Sequence, residues 1–385
     1  MDFNLTEDQI AFAEAARAFA EQELAPNAAE WDQQAIFPVE VLQKAGELGF
    51  CAIYTPEEAG GMGLTRMDAH IIFEQLAMGC TSTTAFLTIH NMVSWMIGSF
   101  GNAETIEKWC PSLVTGELLG SYCLTEPNAG SDAASLKTSA RRDGDDYILN
   151  GSKCFISGAG STDVLVVMAR TGGEGAAGIS AFAVDAKLPG ISYGRKEDKM
   201  GWNSQPTRMI TFEDVRIPAS CRLGEEGEGF KFAMKGLDGG RINIATCSLG
   251  TAQQALNNAM DYLHERKQFG RELGQFQGLQ FELADLATEL VAARQLVRLA
   301  AFKLDHDDAD KTTYCAMAKR YATDIGFKVC DGALQLYGGN GYIKEYPMER
   351  FVRDTRVHRI LEGTNEIMRV IIARRLLMTD AARIV

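Results

Sequence analysis

The chain has 385 residues, 46% of them hydrophobic, 9 prolines and a formal net charge of −13. A chain of that size and composition buries a core two or three layers deep, which excludes the disordered and fibrous classes. Its acidic balance contains no basic run, which excludes a polyanion such as nucleic acid as partner and leaves any bound phosphate to a few local groups.

From Thr6 to about Gly120 the apolar period is helical. Thr6 and Gln9 can form a capping box, and Ile10, Ala13, Ala16, Phe19 and Ala20 follow on one face. Further helices are predicted over 38–48, 66–79, 84–100 and 103–113. From about Ser121 to Gly224 the pattern changes to short strands with turns. Asn150-Gly151 separates Asp146-Tyr147-Ile148-Leu149 from Lys153-Cys154-Phe155-Ile156 and reads as a two-residue hairpin, because a primed turn needs positive φ. The runs 164–170, 180–185 and 209–215 predict further strands. After Gly229 the helical period returns, predicting helices over 230–266, 277–306, 310–337 and 365–382. The expected class is α+β in three parts: an N-terminal α-helical domain over 1–120, a middle β domain over 121–229 and a C-terminal helical domain over 230–385. The helices over 277–306 and 310–337 carry Leu283, Leu286, Leu290, Ile325, Phe327 and Leu334. These apolar residues read either as a contact surface for another copy or as the core of an intramolecular bundle.

Several chemistries fail on context. Gly60-Gly61-Met62-Gly63 and Gly338-Gly339-Asn340-Gly341 follow no predicted strand of a βαβ unit, so neither reads as a dinucleotide fingerprint. The chain lacks a GxxxxGK[ST] loop and a GxSxG elbow. Its five histidines make no HxxxH pair, and its nine cysteines show no CxxC, so no metal site is expected and reduced thiols of a cytoplasm are. Met1-Asp2-Phe3-Asn4 carries no basic n-region, and the apolar run 164–169 is too short to span a bilayer; a cytoplasmic protein with no membrane partner is the expectation.

Polar and glycine segments remain. Leu361-Glu362-Gly363-Thr364-Asn365-Glu366 sets a carboxylate just before a helix whose apolar positions include Ile367, Val370, Ile371 and Leu376, with Thr364 as N-cap. Glu362 reads as a catalytic base or as a carboxylate answering the positive end of a helix dipole. Tyr122-Cys123-Leu124-Thr125-Glu126-Pro127-Asn128-Ala129-Gly130-Ser131-Asp132 reads as a strand running into a loop of hydroxyls and small residues, either a cofactor cradle or an ordinary turn. Arg266-Lys267-Gln268-Phe269-Gly270 ends a long helix with two cations, which solvation alone would explain.

Taken together these segments, with Leu149-Asn150-Gly151-Ser152-Lys153, Phe155-Ile156-Ser157-Gly158-Ala159-Gly160, the stretches 201–208 and 239–245, and Gly338 onward, resemble the acyl-CoA dehydrogenase family over essentially the whole chain. The resemblance implies an N-terminal helical domain, a middle β-barrel or sandwich and a C-terminal four-helix bundle. It implies an FAD enzyme that removes two hydrogens from an acyl-CoA, in a homotetramer built as a dimer of dimers, passing electrons to an electron-transfer flavoprotein. A short branched thioester is the expected substrate, isobutyryl-CoA first, with straight-chain or 2-methylbutyryl thioesters as the alternative. A non-catalytic flavin or acyl-CoA binder and a flavin oxidase are the readings from other classes. Carried over by position, Glu362 is the base, since Gly240, the base position of isovaleryl and long-chain members, carries no side chain. Tyr122, Leu124, Thr125, Ser131, Phe155, Ile156 and Ser157 would hold the flavin ring. Arg266, Phe276, Gln277, Gln335, Gly338 and Gly339 would hold the FAD of a neighbouring subunit, and Thr364, Asn365 and Glu366 its diphosphate. Ser131, Asp238, Gly239, Gly240, Arg241 and Arg374 would line the acyl-CoA site. Asn128 departs from the family pattern, in which that position is usually glycine.

Overall fold

The structure is a computed structural model describing residues 4–378. Its first third is helical: α1 (Glu7–Phe19), α2 (Ala28–Gln34), α3 (Val39–Glu47), α4 (Arg66–Gly79), α5 (Thr81–Phe100) and α6 (Ala103–Val114). The Thr6–Gln9 capping box is formed, and Thr65 and Asp68 make a second one at α4. Phe19, Trp31, Leu42, Ile72, Phe73, Leu76 and Phe86 interlock as this region's core. Helix α5 carries apolar or small residues on most faces, and it is buried against both its helical neighbours and the sheet that follows.

That sheet comprises β1 (Gly120–Cys123), β2 (Ser139–Asp143), β3 (Asp146–Ser157), β4 (Val164–Arg170), β5 (Ile179–Asp185), β6 (Ile191–Tyr193), β7 (Thr207–Pro218) and β8 (Arg222–Leu223). Its order is β6-β7-β3-β2-β4-β5-β8, with β1 parallel to β4. β2 and β4 meet at one pair, Ser139 and Arg170, so the sheet divides into two halves. Tyr147, Leu149, Phe212 and Ile217 from one half pack on Leu165, Val167, Phe182 and Val184 from the other. Strand β4 is buried on both faces. Leu165, Val167 and Ala169 enter that sandwich, while Val164, Val166 and Met168 meet the helices, which is why its sequence is an unbroken apolar run.

The hairpin expected at Asn150-Gly151 is absent. β3 runs straight through both residues, paired to β2 on one edge and to β7 on the other, with a bulge between Leu149 and Gly151. Asn150 Nδ2 donates to Asp214 Oδ1 at 2.9 Å and Asn150 Oδ1 accepts the Asp214 N–H at 2.9 Å. A Cβ on Gly151 would lie 2.6 Å from Thr138 Oγ1. The Asn-Gly pair serves a bulge because two partner strands claim its backbone, and the tight turn falls instead at Gly144-Asp145, where Gly144 has φ 65°.

The last third contains α7 (Gly229–Glu265), a hairpin of β9 (Lys267–Gln268) and β10 (Arg271–Glu272), α8 (Gln277–Asp305), α9 (Lys311–Tyr337), α10 (Met348–Arg356) and α11 (Asn365–Met378). Positions 379–382 of the predicted last helix lie outside the described residues. Leu249, Leu256, Leu286, Leu290, Val297, Ile325 and Val329 fill the bundle, with Leu283 and Leu334 packed at its margin. Leu286, Leu290 and Ile325 therefore belong to this chain's own core. A different set, Phe281, Val291, Leu299 and Phe302 of α8, is exposed. At about 100° per residue these four fall on one arc of roughly 80°.

Candidate active site

Glu362 stands between a 3₁₀ turn, Val357–Arg359, and α11. The Ile367 N–H bonds Thr364 Oγ1 at 3.2 Å, so Thr364 caps α11 as its sequence position predicts. Glu362 has φ 54° and Gly363 φ 86°, two left-handed residues in succession that turn the glutamate side chain onto α7. There it meets Gly240, where an added Cβ would lie 2.5 Å from Glu362 Oε2. A side chain at 240 and a carboxylate at 362 compete for the same space. Among the described residues Oε2 is buried without a hydrogen-bond partner, and the Glu362 N–H finds no protein acceptor. Burial pushes the carboxyl up to about 7, while the charges of Arg241 and Lys319 pull the other way.

The groups around it come from five segments. On α7, Arg241 Nη1 donates to Asp238 Oδ1 at 2.6 Å, and Thr312 Oγ1 donates to Asp238 Oδ2 at 2.6 Å. Gly239 opens onto α4, since its Cβ would lie 2.5 Å from Arg66 Nη1. The Arg66 guanidinium in turn sits 3.4 Å over the Tyr54 ring. On β1 the Tyr122 hydroxyl is buried with no partner among the described residues, and its phenol is pushed well above the ordinary range by burial and then by the Glu362 charge. From α9, Lys319 Nζ donates to the Gly363 carbonyl at 2.7 Å and to Asn365 Oδ1 at 3.0 Å.

The middle domain presents a second surface. Lys153 is wholly buried, and its Nζ donates to Glu126 Oε1 at 2.8 Å and to the Leu124 carbonyl at 3.0 Å. Glu126 also accepts the N–H groups of Lys137 and Thr138, which fixes the loop bearing Thr125 and Ser131. The Cys154 N–H bonds the Thr125 carbonyl at 2.9 Å, tying that loop to β3. Leu124 and Ile156 are buried beneath, and the Ser157 carbonyl accepts from Ser121 Oγ at 2.6 Å. Phe155 turns outward, at φ 56° and 70% exposed, and Ser131 is exposed as well. A Cβ at Gly130, beside Ser131, would meet nothing within 4 Å. An outward aromatic ring, an orphaned buried phenol and an open glycine loop fit a flat, polar-edged cofactor.

The remaining expected residues lie elsewhere. Arg266, Gln277, Gln335, Gly338 and Gly339 are exposed and Phe276 half-buried, at the far end of α7 from Arg241. At about 1.5 Å per residue that is roughly 38 Å away. The structure does not bring this cluster to Glu362 within one chain. Asn365 turns its side chain onto α9, donating to Thr323 Oγ1 at 3.0 Å and Asp324 Oδ1 at 3.1 Å. Glu366 is exposed beside Arg369, and Arg374 is exposed on α11.

Sequence reasoning missed Tyr54, Arg66, Lys319 and a buried relay. In that relay Asp354 Oδ1 accepts the Trp202 N–H at 2.6 Å, and Trp202 Nε1 donates to His358 Nε2 at 3.2 Å. His358 Nδ1 lies 2.6 Å from Ser248 Oγ; because Nε2 accepts, Nδ1 carries the proton and donates. Lys319 left a trace in the sequence: it occupies the apolar phase of its helix, among Cys315, Ala316, Ala322 and Thr323, all buried.

Three family models cover nearly the whole chain: acyl-CoA dehydrogenase N-terminal domain over 6–117, middle domain over 121–215 and C-terminal domain over 227–377. A mitochondrial isobutyryl-CoA dehydrogenase of Bos taurus is 55% identical over 97% of this chain and 90% of its own length. The structure of butyryl-CoA dehydrogenase from Megasphaera elsdenii matches with TM-score 0.94 at 41% identity, over 98% of this chain and 100% of that one. A chain in a structure of the electron transferring flavoprotein of Acidaminococcus fermentans matches with TM-score 0.95 at 43% identity, over 98% and 100%.

Proposed function

This chain belongs to the acyl-CoA dehydrogenase family, and from that membership we propose that it oxidises isobutyryl-CoA to methacrylyl-CoA with Glu362 as its base. It is an FAD-dependent oxidoreductase acting on a CH–CH bond. The branched substrate is supported by the 55% identity with the Bos taurus isobutyryl-CoA dehydrogenase, against 41% with the Megasphaera butyryl-CoA enzyme.

One observation carries the role of Glu362: a buried carboxylate oxygen without a partner, seated in the space that Gly240 leaves. An α-proton beside a thioester is weakly acidic, so its removal needs a base held close and a hydrogen bond where charge develops on the carbonyl oxygen. The Glu362 carboxylate takes the α-proton, and the Glu362 N–H is the donor to the carbonyl. Water displaced by bound substrate raises the carboxylate's proton affinity further. FAD, when bound, supplies the acceptor for the β-hydride. Tyr122, Leu124, Thr125, Ser131, Phe155, Ile156 and Ser157 hold its ring system. Asp238, Gly239, Gly240 and Arg241 position the acyl group.

The cluster at the other end of α7 serves a neighbouring copy. Arg266, Phe276, Gln277, Gln335, Gly338 and Gly339 would grip that copy's FAD, and Thr364, Asn365 and Glu366, at the start of α11, would meet the diphosphate through backbone N–H groups. A homotetramer is supported by that separation and by the exposed apolar arc of α8. An electron-transfer flavoprotein is the proposed electron acceptor, supported by the Acidaminococcus match. A reducing compartment, which we take to be the cytoplasm, is supported by nine free thiols, eight of them buried. No helix among the described residues is long and apolar enough to cross a membrane.

The test is anaerobic mixing of the FAD-loaded protein with isobutyryl-, 2-methylbutyryl-, butyryl- and octanoyl-CoA. Isobutyryl-CoA should bleach the flavin fastest. Faster bleaching by octanoyl-CoA would overturn the substrate, and no bleaching by any thioester would leave a binding protein. Fast reoxidation by air would mark an oxidase.

A further inference from the structure

We propose that Lys319 is the positioning residue of the catalytic turn, clamping the Glu362–Gly363 backbone in its left-handed form while directing a positive charge at the glutamate. The inference rests on Glu362 being the base. A glutamate at φ 54° followed by a glycine at φ 86° is a conformation that the chain does not hold unaided. Lys319 is wholly buried in α9, and its Nζ reaches, at 2.7 Å, the carbonyl of Gly363, the residue immediately after the base. A second bond, to Asn365 Oδ1 at 3.0 Å, fixes the first residue of α11. Asn365 is itself held by Thr323 and Asp324 of the same helix α9, so the turn is pinned from one rigid element.

A lysine placed only to tie two helices would be costly to bury, since a neutral donor would make the same bonds. Charge is what distinguishes it. The charged and titratable groups facing Glu362 are Arg241 of α7, Lys319 of α9, Tyr122 of β1 and Tyr54. Of the two cations, Arg241 is already engaged by Asp238 at 2.6 Å, whereas Lys319 has two carbonyl-type acceptors and no carboxylate in hydrogen-bond contact. Burial pushes the Lys319 ammonium down to about 7, and the Glu362 charge opposes that shift. The lysine and the glutamate thus support each other's charged forms, and the base holds its proton less tightly than burial alone would dictate.

The experiment compares wild type, Glu362→Gln, Lys319→Met and Lys319→Gln as FAD-loaded proteins, following flavin reduction by isobutyryl-CoA across pH. Lys319→Met should bind substrate with near-normal affinity and reduce its flavin about tenfold or more slowly at neutral pH. Its pH midpoint should rise by about one unit, the size expected for removing an opposite charge. Lys319→Gln keeps a neutral donor and loses the charge; it should recover thermal stability over Lys319→Met while keeping the raised midpoint. If Lys319→Met does not fold, Lys319→Gln carries the pH arm. An unshifted midpoint in the lysine variants, with the rate lowered equally at every pH, would reduce Lys319 to a helix tie and overturn the proposal. Normal reduction in Glu362→Gln would instead overturn the base itself.

Discussion

The two ends of α7 are built in opposite ways. At the Glu362 end the reacting group is enclosed by one chain, with Gly240, Arg241 and Lys319 around it and the Trp202–Asp354–His358 relay bracing the turn before it. At the Arg266 end the expected cofactor-gripping groups are open to solvent. Phe269 is 95% exposed at φ 53°, Tyr342 is 82% exposed, and Arg266 stands in solvent. The contrast separates two requirements of one reaction. Proton removal needs a desolvated base and can be assembled within a subunit, whereas in the proposed assembly a long anionic cofactor, held on a chain of net charge −13, would draw cations from a second copy.

The largest effect expected on this division is Glu362→Gln. It should retain FAD yet slow flavin reduction by isobutyryl-CoA on the order of 10³-fold or more in stopped-flow bleaching. A rate within tenfold of wild type would remove chemistry from this end altogether. Next is Gly240→Ala, whose methyl would occupy the position 2.5 Å from Glu362 Oε2 and displace the carboxylate. A shift of about 1 Å at a reacting group costs about 10²-fold, so reduction should fall by that factor with FAD content unchanged.

Arg266→Ala probes the opposite end. Removing a charge-assisted hydrogen bond worth about 1.5–3 kcal/mol should weaken FAD retention about ten- to hundredfold, read by flavin release on dilution. Each flavin still bound should be reduced at the normal rate. Slower reduction at full occupancy would show that the ends are not separable. Acidification sharpens the other side: the Glu362 carboxyl is pushed up to about 7, and its ionised form is the proposed base, so reduction should fall about tenfold per unit as pH drops below that value. A flat profile from pH 8 to about pH 5 would place the base elsewhere. The smallest effect on the chain itself belongs to Phe269→Ala. Its thermal stability as a monomer should change by no more than about 0.5 kcal/mol, because the ring is in solvent, while sizing should show weaker assembly.

Local signals were the legible ones. The capping box at Thr6, the start of α4 at Arg66 and the N-cap at Thr364 each depend on residues within one turn of one another, and the structure has all three. Asn150-Gly151 misled because its meaning depends on β2 and β7, both distant in sequence, which claim the two edges of β3. Helix α10 escaped notice because Met348, Phe351 and Val352 are its only apolar residues among charges. At the site, Glu362 stood out beside a glycine and a cap. Its dependence on Gly240 and Lys319 did not, since contacts between helices leave no periodic mark. Lys319 broke the apolar phase of α9, and a cation inside such a stripe is the one trace that could have flagged it.

Strand β4 carries a consequence for biosynthesis. Both of its faces are apolar, and one packs on α5, made before it, and on Phe232 and Ala233 near the start of α7, which leave the ribosome well after Arg170. At about 5–20 residues per second that interval is on the order of several seconds. Throughout it, Val164, Val166 and Met168 form an uncharged hydrophobic row that α5 covers only in part, the kind of segment that seeds intermolecular pairing. Nascent chains halted before α7 would therefore aggregate or occupy a holdase, and slowing translation between β8 and α7 would lower the yield of active enzyme without altering a single residue of the finished protein.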